Sequence, residues 1–132
     1  MLIESKVRST RKTEDNKSKI FTEYYLIDCE SYSDAEYKLN EYLHDAEKFD
    51  IISMKLTSIS EIYDNYEGTS TFTATMSPEF EDDYGQIKTS KYSILLWAND
   101  LFQANQRIDE ISKQGYQMQV EGIKQSHLIY IK

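Results

Sequence analysis

The side chains in this sequence with chemistry to offer are two histidines, one cysteine and one dense acidic run. His44 and His127 fall on different predicted element types, one late in a helix and one within or near the last strand. A working acid–base pair must sit within hydrogen-bond reach of a reacting proton, and nothing in the spacing supplies that. Both histidines read as structural or exposed, His44 with the mild advantage of a cation beside helix carbonyls. Cys29 stands alone, which excludes an internal disulfide and suits a reducing compartment; it reads as a small buried hydrophobe. Glu79-Phe80-Glu81-Asp82-Asp83 has the charge to attract a divalent cation. It lacks the alternating ligand positions and central glycine of a calcium loop, so it reads as a solvated turn. No phosphate-cradling glycine loop, nucleophile elbow or Cys/His metal spacing occurs. The expectation is a protein that is not an enzyme and holds no cofactor and no metal.

The aromatic side chains say more. Eleven Tyr, five Phe and one Trp occur among 132 residues. Tyr24, Tyr25, Tyr63, Tyr66, Phe72, Tyr92, Trp97 and Tyr130 lie on predicted strands or beside them. Side chains alternate across a strand, so Tyr24 and Tyr25 point to opposite faces and at least one leaves the helix-covered side. A sheet face of aromatics flanked by Lys6, Arg8, Lys19, Lys88 and Lys91 can stack single-stranded bases, at about 1–3 kcal/mol for each ring. In that reading Lys6, Arg8, Lys19 and Lys91 touch phosphate, while Tyr24, Tyr92 and Trp97 stack. The plainer reading makes most of these rings core residues and cross-strand pairs.

The net charge of −8 argues against charge-driven attraction to duplex nucleic acid or anionic lipid. The charge is unevenly spread. Residues 1–20 hold Lys6, Arg8, Arg11, Lys12, Lys17 and Lys19 against Glu4, Glu14 and Asp15, whereas residues 61–84 hold acids and no base. The split fits two solvated hairpin loops, or one basic face on an acidic body. It also sets a second functional reading: a protein-interaction or assembly factor (a virion component or an inhibitor of a host enzyme) that docks through Glu79, Glu81, Asp82 and Asp83.

Positioning any of these residues falls to two similar halves. A shift of 69 positions sets Tyr25-Leu26-Ile27 on Ile94-Leu95-Leu96, Ala35 on Ala104, Lys38 on Arg107 and Leu39 on Ile108. The third strand needs a shift of 66 or 67, with a slightly longer loop after the helix of the first copy. Ile3 to Thr10 and Ser18 to Cys29 read as a hairpin, and so do Ser70 to Met76 and Lys88 to Ala98, with Pro78 marking a strand end or an edge. Ser33-Asp34-Ala35-Glu36 and Asp100-Leu101-Phe102-Gln103 carry helix-start signals. Ala35, Leu39, Tyr42 and Leu43 form one apolar stripe, Ala104, Ile108 and Ile111 the other. Gly115 suits a helix end. Ile52, Met54 and Leu56, and later Tyr116, Met118 and Val120, alternate as third strands with one face buried.

The fold class is therefore α+β: a tandem duplication of a ββαβ unit, mainly antiparallel sheet with two helices packed on one face. Residues 1–132 are expected to form a single domain of two repeats, 1–66 and 67–132, sharing one interior. The start of the chain lacks the basic and apolar regions of a secretion signal, and no apolar run approaches a membrane span, so the protein reads as cytoplasmic. Free sheet edges make a homodimer an expected state.

Glu4-Ser5-Lys6-Val7, Tyr25-Leu26-Ile27-Asp28, Ser31-Tyr32-Ser33-Asp34-Ala35-Glu36 and Ser60-Glu61-Ile62-Tyr63 together resemble an uncharacterised domain family of gut Bacteroidetes and their phages. The similarity runs over most of the chain and is more specific in the first half. That family is a domain of unknown function, so no catalytic residues carry over. Ser70-Thr71-Phe72 stands where the family typically has an aromatic pair including Trp, which weakens any ligand contact there. The resemblance implies a phage or mobile-element protein in a bacterial host cell, among replication and recombination genes, and so favours the single-strand reading.

Overall fold

The computed structural model describes residues 1–114 and 118–132. The elements are β1 (Leu2–Lys12), β2 (Ser18–Asp28), α1 (Tyr32–Tyr42), β3 (Lys48–Leu56), β4 (Ile59–Tyr63), β5 (Ser70–Glu81), β6 (Ile87–Thr89), β7 (Tyr92–Ala98), α2 (Leu101–Ser112), β8 (Met118–Ser126) and β9 (Leu128–Ile131). The chain is α+β and forms two compact units. One is Met1–Thr57 with His127–Lys132, the other Ser58–Ser126.

In the first unit the strand order is β3-β1-β2-β9, antiparallel except for the β2–β9 pair. Odd-numbered residues of β1 and β2 point to the face that α1 covers. Ile3, Val7, Tyr25 and Ile27 meet Ala35, Leu39 and Leu43 there in one buried cluster. Fully burying a side chain such as Leu39 stabilises by about 1.5–3 kcal/mol. Tyr42, expected on the same stripe, is exposed and sets its ring edge-on to Tyr25, 5.6 Å between centroids. The β1–β2 turn closes through Asn16 at φ 60°, a conformation asparagine tolerates better than most residues.

In the second unit β5 is flanked by β8 on one side and by β7 and β6 in succession on the other, with β4 parallel to β7. Phe72, Ala74, Met76, Ile94 and Leu96 form its core with Ala104, Ile108 and Ile111 of α2. Pro78 ends no strand: β5 runs on to Glu81. It sits between the β7 pairing, which stops at Met76, and the β6 pairing, which starts at Glu79. On its other side Pro78 is the last residue of β5 in register with β8, so the missing N–H falls at the end of that pairing.

The halves repeat at 69 positions throughout. Ile3 opposes Ile27 and Leu56 in the first sheet, and Phe72 opposes Leu96 and Gln125 in the second. The third strands keep that spacing too. The separate shift of 66 or 67 does not hold: even the bulges, at Lys6/Val7 against Ser53/Ile51 and at Thr75/Met76 against Gly122/Val120, stand 69 positions apart. Helix caps repeat as well. The Asp34 N–H donates to Ser31 Oγ and the Glu30 N–H to Asp34 Oδ2, both at 3.0 Å. At the equivalent positions the Gln103 N–H donates to Asp100 Oδ1 and the Asn99 N–H to Gln103 Oε1. The first cap therefore lies two residues before Ser33, since Ser31 and Asp34 already satisfy both free N–H groups.

Two expectations change. In place of one pleated layer there are two sheets, each with its own helix and core. Each half also carries a further short strand after its third: β4 joins the second unit's sheet and β9 the first unit's. Gly115 and Tyr116 lie outside the described residues.

Candidate functional site

The alternation that buries Ile3 and Val7 turns Glu4, Lys6 and Arg8 to the face of the first sheet away from α1. Lys6 lies opposite Tyr24 on β2, and its ammonium is 5.9 Å from the centre of the Tyr24 ring. Tyr24 is 46% exposed, whereas neighbouring Tyr25 is fully buried. Arg8, exposed two residues along, lies between Asp50 of β3 and Thr22 of β2 in register. Beside this group is a depression of about 370 Å³ lined by Glu4, Lys6, Tyr24, Ser53, Lys55 and Leu128. Glu4 is engaged within it, accepting from Thr57 Oγ1 at 2.8 Å and lying 3.8 Å from Lys55 Nζ. The arrangement presents one aromatic face, three cations (Lys6, Arg8 and the Glu4-paired Lys55) and a hollow at the lower end of small-ligand pocket sizes.

The other sequence-predicted residues lie elsewhere. Lys19 is in the same unit but near the β1–β2 turn, where it and Arg11 flank the Phe21 ring at 5.5 and 5.3 Å. Arg11 also pairs with Glu23. Phe21, Ser53, Lys55 and Leu128 were absent from the sequence-derived site. The β1–β3 and β2–β9 registers were needed to find Ser53, Lys55 and Leu128, and only Phe21 carried a local signal, as an aromatic two residues after Lys19.

Lys91, Tyr92 and Trp97 belong to the second unit. Lys91 Nζ lies 3.0 Å from Glu121 Oε2. Tyr92 packs half-buried against the core around Met76, and burial pushes its phenol up, with the Glu61 charge adding to the effect. Trp97 is half-buried opposite Thr71, and its carbonyl accepts from the Arg107 guanidinium. The structure thus brings together Lys6, Arg8 and Tyr24. In the second unit Tyr63 donates to Glu61 Oε2 at 2.6 Å, and burial together with that carboxylate holds its phenol well above the usual tyrosine range.

The acidic run has a structural member. Asp82 Oδ1 accepts from the Tyr84 and Gln86 N–H groups at 2.9 and 2.8 Å, and its Oδ2 lies 3.3 Å from Lys88 Nζ. The Gln86 hydrogen bond, then those of Tyr84 and Lys88, hold the carboxyl below its ordinary range. Gly85 completes the turn at φ 79°, which suits glycine. Glu79, Glu81 and Asp83 are exposed around it, as are the apolar side chains of Tyr84 and Ile87.

His44 follows the last turn of α1, with Nδ1 2.8 Å from the Glu41 carbonyl, and both histidines are exposed. Cys29 is buried, and desolvation pushes its thiol up, away from reactivity. Among the described residues no group of three or more His, Cys, Asp or Glu side chains is arranged to hold a metal ion. No helix among them is long and apolar enough to cross a membrane.

Fold and site together define an α+β chain of two repeated units, the first of which exposes Tyr24 and Arg8 on the sheet face away from α1, where Leu26 is fully buried. Residues 1–131 match the domain of unknown function DUF4494, and the chain belongs to that family. Neither curated proteins nor solved structures gave a match.

Proposed function

We propose that this protein is a non-catalytic binding module of phage or mobile-element origin, acting in the cytoplasm of a bacterial host, that contacts single-stranded nucleic acid through Lys6, Arg8 and Tyr24 on the face of its first sheet away from α1. The observation that supports this reading is the Lys6–Tyr24 pair: an exposed ring with a cation beside it, Arg8 two residues along and a base-sized hollow adjacent. A base stacks on Tyr24 while Lys6 and Arg8 meet the flanking phosphates. Stacking carries no charge requirement, so the acidic net charge weakens the binding without preventing it.

Fluorescence anisotropy with a labelled oligonucleotide tests this. Binding appears at low salt, with a log–log salt slope of about −1.4 for two phosphate contacts on a single strand. Tyr24→Ala weakens it by about 1–3 kcal/mol. No binding at low salt, or a Tyr24→Ala variant that binds like the original, overturns the proposal.

A second reading is favoured by the β5–β6 turn, where exposed Tyr84 and Ile87 stand beside Glu79, Glu81 and Asp83. That combination suits docking on a basic protein partner. Its test is capture of a partner from host lysate that is lost with Glu81→Lys and Asp83→Lys; capture unaffected by both substitutions contradicts that docking surface.

A further inference from the structure

The outer edge of β3 ends the order β3-β1-β2-β9 and has no strand partner among the described residues. The strand is nine residues long and exposes Ile52 at 46% and Leu56 at 63%. A free edge of this length presents a row of open N–H and C=O groups, and apolar side chains along it favour a further strand. We infer that a second copy of this chain pairs there, β3 against β3, antiparallel about a two-fold axis.

The residue order of β3 favours this occupant. Its register with β1 passes from Ser53 to Ile51 and leaves Ile52 as the bulged residue. Phe49, Ile51 and Met54 pack on the helix-side cluster, and Leu56 lies opposite Ile3 on the same face. Asp50, Ser53 and Lys55 take the open face. With the bulged Ile52 left out of register, turning the strand about Ser53 sets Ile51 opposite Met54, Asp50 opposite Lys55 and Phe49 opposite Leu56. Every pair keeps its face, and the charged pair is opposite in sign. The two-fold axis repeats each pair, so the junction holds two Asp50–Lys55 contacts and covers both copies of Leu56.

Neighbouring registers are poorer. Moving by one residue sets helix-side positions against open-face positions. Moving by two in one direction brings Lys48 opposite Lys55, and in the other leaves Lys55 opposite Ser53. The bulge, a feature that discourages indiscriminate edge pairing, here leaves one self-complementary register. Joined this way, two four-stranded sheets run on as one layer. The pairing does not depend on nucleic acid.

Sedimentation analysis of the full chain without nucleic acid tests it. The chain reaches dimer mass as its concentration rises through the micromolar range. Asp50→Lys and Lys55→Asp, both at exposed positions, each set two like-charge pairs in the junction and weaken self-association by about tenfold or more. An equal mixture of the two variants recovers it, because only the mixed dimer has opposite charges at both contacts. A chain that stays monomeric at high micromolar concentration overturns the inference. So do single variants that associate like the original, or a mixture that fails to recover.

Discussion

Tyr130 of β9 lies opposite Leu26 of β2 in parallel register. Parallel neighbours need a crossover connection rather than a tight turn, and here the crossover runs from α1 through β8. Tyr63 of β4 stands opposite Leu96 of β7 in the same manner. Each sheet is completed by the short strand that follows the other half's third strand, so the two repeats exchange their last strands.

That exchange predicts how the chain tolerates cutting. A protease site placed at the exposed turn Asp64-Asn65 separates two fragments, each holding a strand of the other's sheet. After cleavage the fragments migrate together on native size exclusion and separate only in denaturant. Fragments that part under native conditions contradict the strand pairing.

The Asp82 turn predicts a pH response with a definite sign. Its carboxyl is depressed by the Gln86 and Tyr84 N–H groups and Lys88. A group with a lowered folded pKa contributes stability above its unfolded value, about 3.9, and loses it as pH falls through the folded value. The amide proton shifts of Tyr84 and Gln86 therefore titrate with a midpoint below the ordinary aspartate value. Asp82→Ala removes that step. A midpoint at or above the ordinary value contradicts the hydrogen-bond assignment.

Thr73 lies on β5 between Leu95 of β7 and Lys124 of β8, and its buried Oγ1 has no hydrogen-bond partner among the described residues. A buried unsatisfied hydroxyl costs about 1–3 kcal/mol. Thr73→Val keeps the shape and the β-branch, so it raises unfolding free energy by about 1 kcal/mol in urea denaturation. A loss of that size in its place means the hydroxyl has a partner.

Gly68 has a steric reason for being glycine. A Cβ there would lie 2.4 Å from the Ala98 backbone nitrogen. Backbone cannot give way as a flexible side chain does, so Gly68→Ala costs about 3 kcal/mol, at the upper end of overpacking penalties. Chemical denaturation measures it, and a change below a few tenths shows that the approach of the chain to Ala98 relaxes freely.

Much of this was legible in the sequence because local rules and packing agreed. The 69-residue repeat, the stripes Ala35–Leu39–Leu43 and Ala104–Ile108–Ile111, and the opposite facing of Tyr24 and Tyr25 all follow from period-two and helical spacing. The equivalence of Lys38 and Arg107 proved structural: Lys38 donates to the Asp28 carbonyl and Arg107 to the Trp97 carbonyl, 69 positions on. What stayed hidden was long-range. Nothing in Ile59–Tyr63 or Leu128–Ile131 says which hairpin each short strand pairs with, because parallel pairing leaves no turn signal. The candidate site was half visible for the same reason. Strand alternation exposes Lys6, Arg8 and Tyr24 together, but Ser53, Lys55 and Leu128 join them only through the β1–β3 and β2–β9 registers. Lys91, Tyr92 and Trp97 lie in the second unit, and only the pairing of β5, β7 and β8 shows what surrounds them.

Whether nucleic acid meets the Lys6–Tyr24 face is tested most directly by NMR shift mapping, with a thymidine oligonucleotide titrated into the labelled chain at low salt. Perturbed amides and ring signals centre on Lys6, Arg8, Tyr24 and Ser53, and they diminish together when Tyr24 is replaced by Ala. Shifts confined to Ser58–Ser126, or none with the oligonucleotide in large excess, contradict single-strand binding on this face.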